Sequence, residues 1–334
     1  MKYLITGGLG FIGSNFINQI IGKKNIHILN IDYKSQFSMS VMTKDSANYK
    51  YIKCDISNTK LINNIVIDYK PNIILNFAAE SHVDRSILTP YPFIKSNILG
   101  TYSLLEAAKN YLNLKASKDP NFRFIHISTD EVYGSLKKNE KPFHENSNYM
   151  PNSPYSASKA SSDFLVRSWF ETYNFPAIIT NCSNNYGPWQ HPEKLIPKTI
   201  INALENKPIP IYGTGKNIRD WIYVDDHIKA ISLLIKKGKT GEKYNIGSKQ
   251  EFTNIEIVKL ICKKLDKIKP KNKSYFELIK FVEDRQGHDF RYAIDSKKIE
   301  KQLKFKSTTS LEKGIFKTIK WYINNFEYVK SFHK

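Results

Sequence analysis

Short apolar runs alternate along the first half of the chain with longer stretches whose apolar positions recur at helical spacing. The run Lys2–Thr6 (KYLIT) reads as a strand ending in glycines, and an amphipathic helix follows from about Phe11 to Ile21. Strand His27–Ile31 ends at Asp32, and strand Lys50–Lys53 ends at Cys54-Asp55. A helical pattern over Thr59–Tyr69 leads into strand Ile73–Phe77, which runs out into Ala78-Ala79-Glu80. One long helix is expected from Pro92 to Leu112. Strand Arg123–Ser128, helix Pro154–Tyr173 and strand Ala177–Asn181 follow. Such alternation predicts an α/β fold with a doubly wound parallel sheet. In these sheets ligands sit beyond the carboxyl ends of the strands, and each motif described below falls at such an end.

After about Tyr186 the pattern loosens and Pro, Gly and Lys become commoner, which predicts a smaller α+β substrate domain. The expected division is 1–187 and 188–334, with elements near 225–250 returning to the first domain. A length of 334 residues, 41% of them hydrophobic, supports a large core and excludes disorder. No run approaches the ~18 apolar residues of a membrane span. The opening MKYLITGG reads as strand and turn, not as a signal peptide. The widely spaced Cys54, Cys182 and Cys262 suit neither a disulfide framework nor a metal site, so no metal and a cytoplasmic location are expected.

The net charge of +20 invites a nucleic-acid reading, but only six of the 51 basic residues are Arg and the Lys are scattered, thickest from Lys259 onward. Nucleic-acid readers concentrate charge on one face and favour Arg. A Lys-rich solvated surface is expected instead, whose potential can draw in an anionic substrate.

Gly8-Leu9-Gly10-Phe11-Ile12-Gly13 satisfies G-x-G-x-x-G, and Gly7, Gly10 and Gly13 satisfy G-x-x-G-x-x-G, between a strand and a helix. Glycines let the backbone approach a pyrophosphate, and the helix N-terminus favours its charge. Asp32, 19 residues past Gly13, can accept from adenosine ribose hydroxyls and would repel a 2′-phosphate. NAD is therefore expected over NADP, a preference that Lys34 tempers. Asp55-Ile56 could flank the adenine or form an ordinary turn.

Ser128-Thr129-Asp130-Glu131-Val132-Tyr133-Gly134 and Tyr155-Ser156-Ala157-Ser158-Lys159 carry the reacting chemistry. Tyr155 and Lys159 share a helix face. A phenol is a poor base at neutral pH, and a nearby ammonium together with a nicotinamide's positive charge would lower its pKa. Tyr155 is thus expected to take a hydroxyl proton while a hydride leaves for the cofactor. Oxidation acidifies the neighbouring carbon, so an adjacent pair of carboxyls with separated pKa values can remove that proton and protonate a departing hydroxyl.

Together these residues resemble the extended short-chain dehydrogenase/reductase family and, within it, the dTDP-glucose 4,6-dehydratases. The similarity runs from about Lys2 to Tyr322 through TGGLGFIGSNF, NFAAESHVDRSI, FRFIHISTDEVYG, PNSPYSASKASSD, TNCSNNYGP, PEKLIP, IYGTGKNIRDWIYVDDH, YNIG and DRQGHDFRYAID. The Thr-Asp-Glu run separates these enzymes from epimerases, which generally lack the acid pair. The resemblance implies a Rossmann-like NAD domain, a nucleotide-sugar-binding second domain, and a lyase forming the 4-keto-6-deoxy sugar, with rhamnose supply the usual purpose. Thr129 would hydrogen-bond the fourth hydroxyl, Tyr155 would deprotonate it, and Lys159 would hold the nicotinamide ribose. Glu131 would take the proton on carbon five and Asp130 would protonate the hydroxyl leaving carbon six, with the hydride returning there and NAD staying bound.

The resemblance further implies NAD contacts from Phe11, Ile12, Asp32, Asp55, Ile56, Ala78, Ala79, Ser96 and Asn185. Substrate contacts would come from Ser81, Asn184, Lys194, Leu195, Pro210, Tyr212, Arg219, Asn254, Arg285 and His288. Arg219 and Arg285 offer forks suited to a pyrophosphate. Tyr212 either stacks on the pyrimidine or packs in the core, and His288 is a phosphate or ribose contact. His82 reads as structural rather than catalytic. The family also implies a homodimer in which the helix from about Pro92 and the Tyr155 helix pack against their mates. Two departures stand out: Tyr33-Lys34-Ser35-Gln36-Phe37-Ser38 replaces the usual continuation after Asp32, and Ser96 and Gln286 stand where Thr and Pro are common. Rival readings are a UDP- or CDP-glucose dehydratase, a nucleotide-sugar 4-epimerase, and a non-catalytic NAD-binding regulator.

Overall fold

The computed structural model describes residues 1–33, 46–114 and 121–332; Lys34, Ser35, Gln36, Phe37 and Ser38 lie outside the described residues. Seven parallel strands form the central sheet. Across it the order is Lys243–Ile246, Ala177–Cys182, Arg123–Thr129, Ile73–Asn76, Lys2–Thr6, His27–Asp32 and Tyr49–Lys53. The chain order reverses between Lys2–Thr6 and Ile73–Asn76, so the crevice of this sheet opens where those two strands end. There Thr6 lies opposite both Ile31 and Asn76.

Every residue of Ile73–Asn76 and of Ala177–Cys182 is buried, as expected for strands covered by helices on both faces. Successive side chains point to opposite faces, so Ile5 joins one apolar cluster and Leu4 the other. Phe16 and Ile17 of helix Phe11–Ile20 and Ile228, Ile231 and Leu234 of helix Val224–Lys237 fill the first cluster. Ile62, Leu104, Val166 and Phe175 fill the second.

The expected helix from Pro92 to Leu112 is broken. Short helices Val83–Leu88 and Tyr91–Phe93 precede a π-helical stretch, Ile94–Leu99, and only then does an α-helix run from Gly100 to Leu114. Two contacts account for the widened turn. Asn97 bridges to the strand-end segment, its amide donating to Glu80 O at 3.0 Å and accepting from Glu80 N at 2.9 Å. Gly100 is pressed against Ile56, whose Cδ1 would lie 2.4 Å from any β-carbon there. The turn therefore takes an extra residue to put Asn97 and Gly100 in place.

A second assembly follows. It pairs Ile209–Tyr212 with Ile279–Val282 and joins Glu251–Thr253, Ile218–Tyr223, Arg291–Tyr292 and Asn184–Tyr186 in another sheet. Helices Leu195–Leu204, Asn254–Ile268 and Leu311–Asn324 cover them around a separate core containing Ile200, Ile257, Ile261, Ile315 and Tyr322. Among the described residues no helix is long and apolar enough to cross a membrane, and no cluster of His, Cys, Asp and Glu is arranged to hold a metal ion.

Candidate active site

A continuous cleft runs from the glycine turn, past the end of Arg123–Thr129, into the second assembly, its two halves sharing Ser81, Glu131, Asn184 and Lys194. At its first end Gly7 has φ +72°, and a β-carbon there would lie 2.5 Å from the Ala78 backbone across the switch point. A β-carbon on Gly13 would lie 2.4 Å from Gly7 O, so both positions need glycine to close the strand–turn–helix. Gly10 differs, since its nearest obstacle is Gly7 O at 3.2 Å. Gly10 is also the N-cap of helix Phe11–Ile20, which has no side-chain cap and no acid in its first turn, leaving a positive helix end facing the cleft beside Phe11 and Ile12.

The residues present fit a dinucleotide. Asp32 accepts from Leu9 N at 2.8 Å, and burial pushes its carboxyl up to about 6. Asp55 is a turn residue as well as a cleft residue: its Oδ1 accepts from Ser57 N at 2.9 Å and its Oδ2 pairs with Lys95 at 2.8 Å. Ile56, Ala78, Ala79 and Ser96 line the same cavity. Asn185 lines it too, with its amide fixed by Ser183 O at 2.9 Å and by His227 Nδ1 at 2.9 Å.

In the middle of the cleft Thr129 ends its strand and caps a 3-10 turn over Asp130–Tyr133. Its Oγ1 accepts from Glu131 N and donates to Asp130 Oδ1, both at 3.3 Å. Asp130 is 2% exposed, and its Oδ2 has no partner. Burial, with Glu131 and Asp220 adding their charges, holds the Asp130 carboxyl well above the usual range. Burial raises Glu131 as well, but Arg219 and Lys194 pull it back. The environments of the two acids thus diverge as acid and base roles require.

Tyr155 and Lys159 project from helix Pro154–Tyr173 into this region. The lowering of the Tyr155 pKa is expected of Lys159 together with a nicotinamide's charge; the protein's own groups raise it. Burial, then Glu131 and Cys182, push the phenol well above 10. Lys159 instead donates to Ile127 O at 2.8 Å, and burial lowers it to about 8. The protein alone keeps Tyr155 protonated.

At the far end, Arg219 is 7% exposed and donates to the backbone carbonyls of Ile218 and Asp289 at 2.8 and 2.9 Å, with its guanidinium 4.4 Å over the Tyr292 ring. Lys194 donates to Ser81 O at 2.8 Å and precedes helix Leu195–Leu204, whose start also lacks a side-chain cap. Asn184 Oδ1 is buried without a partner beside it. Arg285 grips Asp84 through Nε at 2.5 Å and Nη2 at 3.0 Å, so its fork is on a carboxylate. Tyr212 is 37% exposed on the cleft wall, which excludes core packing; Pro210, Asn254 and His288 complete the wall, the last bonded to Asp284 Oδ1 at 2.7 Å. His82 Nδ1 accepts from Arg85 N at 3.3 Å as the cap of Val83–Leu88, and the residue also lines the cleft.

Asp289 and Tyr292 are among the cleft residues that escaped the sequence reading. Asp289 binds Asn152 Nδ2 at 2.6 Å and the Tyr292 hydroxyl, and so braces the stack under Arg219. Both lie within DRQGHDFRYAID, but nothing in their types or spacing set them apart.

Comparison with known proteins agrees with this geometry. A model of the family described as GDP-mannose 4,6 dehydratase matches residues 4–318. The chain is 50% identical to dTDP-glucose 4,6-dehydratase 1 of Escherichia coli (strain K12), over 98% of this chain and 94% of that one. It is 49% identical to the dTDP-glucose 4,6-dehydratase of Shigella flexneri, over 99% and 95%. The crystal structure of DesIV, a dTDP-glucose 4,6-dehydratase from Streptomyces venezuelae solved with NAD bound, superposes with a TM-score of 0.90 at 35% identity, covering 99% of this chain and 100% of that one.

Proposed function

This chain belongs to the GDP-mannose 4,6 dehydratase family, and on that premise we propose that it is an NAD-dependent lyase converting dTDP-glucose into dTDP-4-keto-6-deoxyglucose and water. The observation that carries the reading is the buried Asp130 and half-buried Glu131 held beside Thr129 and Tyr155, both carboxyls raised, with Arg219 and Lys194 pulling Glu131 back. A 4-epimerase would leave this pair without work, and a non-catalytic regulator has no need of Tyr155 and Lys159. The relatives' names favour dTDP over UDP or CDP.

When bound, NAD supplies a two-electron acceptor at carbon four, donates the same equivalent at carbon six, and brings a positive charge that favours the Tyr155 phenolate. Gly7, Gly10 and Gly13 admit its pyrophosphate to the helix N-terminus, and Asp32 accepts from its ribose hydroxyls. Lys159, fixed on Ile127 O, orients the second ribose. Thr129 and Tyr155 hold the fourth hydroxyl of the sugar, and Tyr155 takes its proton. Glu131 removes the proton on carbon five, and Asp130 protonates the hydroxyl leaving carbon six. Arg219, Lys194, Asn184 and the start of helix Leu195–Leu204 bind the diphosphate, with Tyr212 stacking on the base.

The unpaired, buried Cys54, Cys182 and Cys262 suit the reducing cytoplasm. Two neighbouring helical segments also leave Tyr91, Leu99, Tyr102 and Phe164 exposed, which supports a homodimer. The function is tested by incubating the purified protein with dTDP-, UDP- and CDP-glucose without added NAD. The expected result is a product lighter by one water from dTDP-glucose. Failure with all three sugars, even when NAD is supplied, removes the lyase reading.

A further inference from the structure

On the dehydratase reading, the diphosphate of the substrate meets three cations that line one end of the cleft, Lys194, Arg219 and Arg285. Cations gathered in this way repel one another, and the charge of Arg285 is among those that lower Lys194. Each therefore needs an anchor. Backbone carbonyls hold Arg219, and Ser81 O holds Lys194. The anchor of Arg285 is instead a carboxylate carried on the central-sheet side of the cleft: Asp84, in the first turn of helix Val83–Leu88. Asp84 takes part in none of the proton or hydride transfers.

We infer that Asp84 is a positioning residue for the diphosphate, holding the Arg285 guanidinium by one edge while the remaining donors meet the phosphate oxygens. A guanidinium has five N–H groups in a rigid fork. Asp84 takes the Nε–Nη2 edge, with Oδ1 2.5 Å from Nε and Oδ2 3.0 Å from Nη2. Both N–H groups of Nη1 and the second of Nη2 remain, and among the described residues no acceptor takes them. The two uses do not exclude each other, because a carboxylate side-on and a phosphate end-on can share one fork.

The surroundings fit this role. The loop that carries Arg285 is tied down at its far end by the segment between Tyr133 and Pro154: Asn152 Nδ2 donates to Asp289 Oδ1 at 2.6 Å, and Ser135 Oγ accepts from Phe290 N at 2.9 Å. At Arg285 itself the hold is Asp84. His82 does not compete as a cation for that carboxylate. Its Nε2 lies 4.0 Å from Asp84 Oδ2, but burial and the surrounding cations lower His82 to about 3, so it stays neutral. The Arg285 side chain is 23% exposed, so without Asp84 it has water to swing into and Lys194 to move away from. A long side chain ordered in advance spares its ligand the loss of rotamer freedom. Removing the Asp84 charge would by itself favour an anion. At 31% exposure that charge is screened, and the loss of orientation prevails.

The test uses enzyme purified with its retained NAD and compares Asp84→Ala, Asp84→Asn, Arg285→Ala and the double variant Asp84→Ala/Arg285→Ala. Binding of dTDP is measured by calorimetry, and turnover of dTDP-glucose by initial rates. For Asp84→Ala we expect about tenfold weaker dTDP binding and a similar rise in KM, with kcat within about threefold of the parent. Asp84→Asn keeps one acceptor for the guanidinium and should lose only about threefold in dTDP affinity. The double variant should bind dTDP no more weakly than Arg285→Ala, since Asp84 acts through that side chain. Unchanged or tighter dTDP binding by Asp84→Ala overturns the inference, as does a double variant whose losses add, and in both cases the lyase reading stands. A fall in kcat with dTDP binding intact overturns it too. A parent enzyme that binds dTDP without dehydrating dTDP-glucose defeats the lyase reading, while the binding series still decides the role of Asp84. A parent that binds no dTDP defeats both.

Discussion

Asp130 and Glu131 are neighbours in sequence whose surroundings treat them differently, and their substitutions should separate accordingly. Arg219 draws down both carboxyls and Lys194 that of Glu131, whereas Asp130 meets the added charges of Glu131 and Asp220 and has an unpartnered oxygen. Asp130→Asn and Glu131→Gln should therefore slow water loss by about 10²–10⁴ while sparing oxidation of the sugar, followed as the transient absorbance of reduced nicotinamide. Equal loss of both steps would undo the division of roles. One helical turn beyond Lys159, Asp163 is fully enclosed, with Tyr149 Oη at 2.8 Å, Asn181 Nδ2 at 3.0 Å and His126 Nε2 at 3.4 Å. Its charge raises Lys159 against the larger effect of burial, which leaves the ammonium lowered to about 8. A base with a lowered pKa sheds its charge as pH rises through that value, so turnover should fall above pH of about 8. Asp163→Asn should move that fall to lower pH, and a pH–rate profile with an unmoved alkaline limb would count against the coupling. Spacing alone made Tyr155 and Lys159 legible, because residues four apart share a helix face. It could not reveal the state of the Tyr155 phenol, which depends on how completely the fold buries it beside Glu131 and Cys182.

The strand–turn–helix at the glycines makes two positions of one motif answer differently. Gly7→Ala forces a side chain into φ +72° and against the Ala78 backbone at 2.5 Å, where strain alone costs about 1–3 kcal/mol. Gly10→Ala meets only Gly7 O at 3.2 Å, yet lines the cleft at the head of an uncapped helix. Gly7→Ala should lower the melting temperature of the cofactor-free protein. Gly10→Ala should leave it nearly unchanged but purify with less NAD, read as the 260/280 nm absorbance ratio. Equal melting losses would mean that Gly10 serves the turn and not the ligand. The strands up to Ala177–Cys182 and three of the helices before it were legible to within a residue or two, since Lys2–Thr6, Thr59–Tyr69 and Pro154–Tyr173 each carry one clear period, whereas the elements of the second half, where the pattern loosens, were read only as a mixed domain. The π stretch Ile94–Leu99 was not. Its extra residue is imposed by Asn97 reaching Glu80 and by Gly100 meeting Ile56, long-range contacts that leave no local period to read.

Across the whole molecule, the helical segments around the reacting site leave an apolar outer face. Tyr91 is 65% exposed, Tyr102 40% and Phe164 58%, and the Tyr102 ring meets Trp169 of the Tyr155 helix edge-on at 6.0 Å. Between them Ala157 and Ser161 expose small side chains that let a second helix approach closely. The inner faces of the same helices carry Tyr155, Lys159 and Asn97, so whatever covers the outside also steadies the cleft. In a two-fold dimer every substitution acts twice. Burying a Phe side chain is worth about 1.5–3 kcal/mol, so Phe164→Glu should cost about 3–6 kcal/mol of association, or about two to four decades in dissociation constant. The parent protein should sediment as a dimer at micromolar concentration and the variant as a monomer with a lower melting temperature. Phe281→Glu serves as the control: it is equally exposed at 61% but lies on the edge of the second assembly, and it should leave the dimer intact. If Phe164→Glu stays dimeric while Phe281→Glu falls apart, the mate docks on the second assembly and the outer helical face is merely solvated.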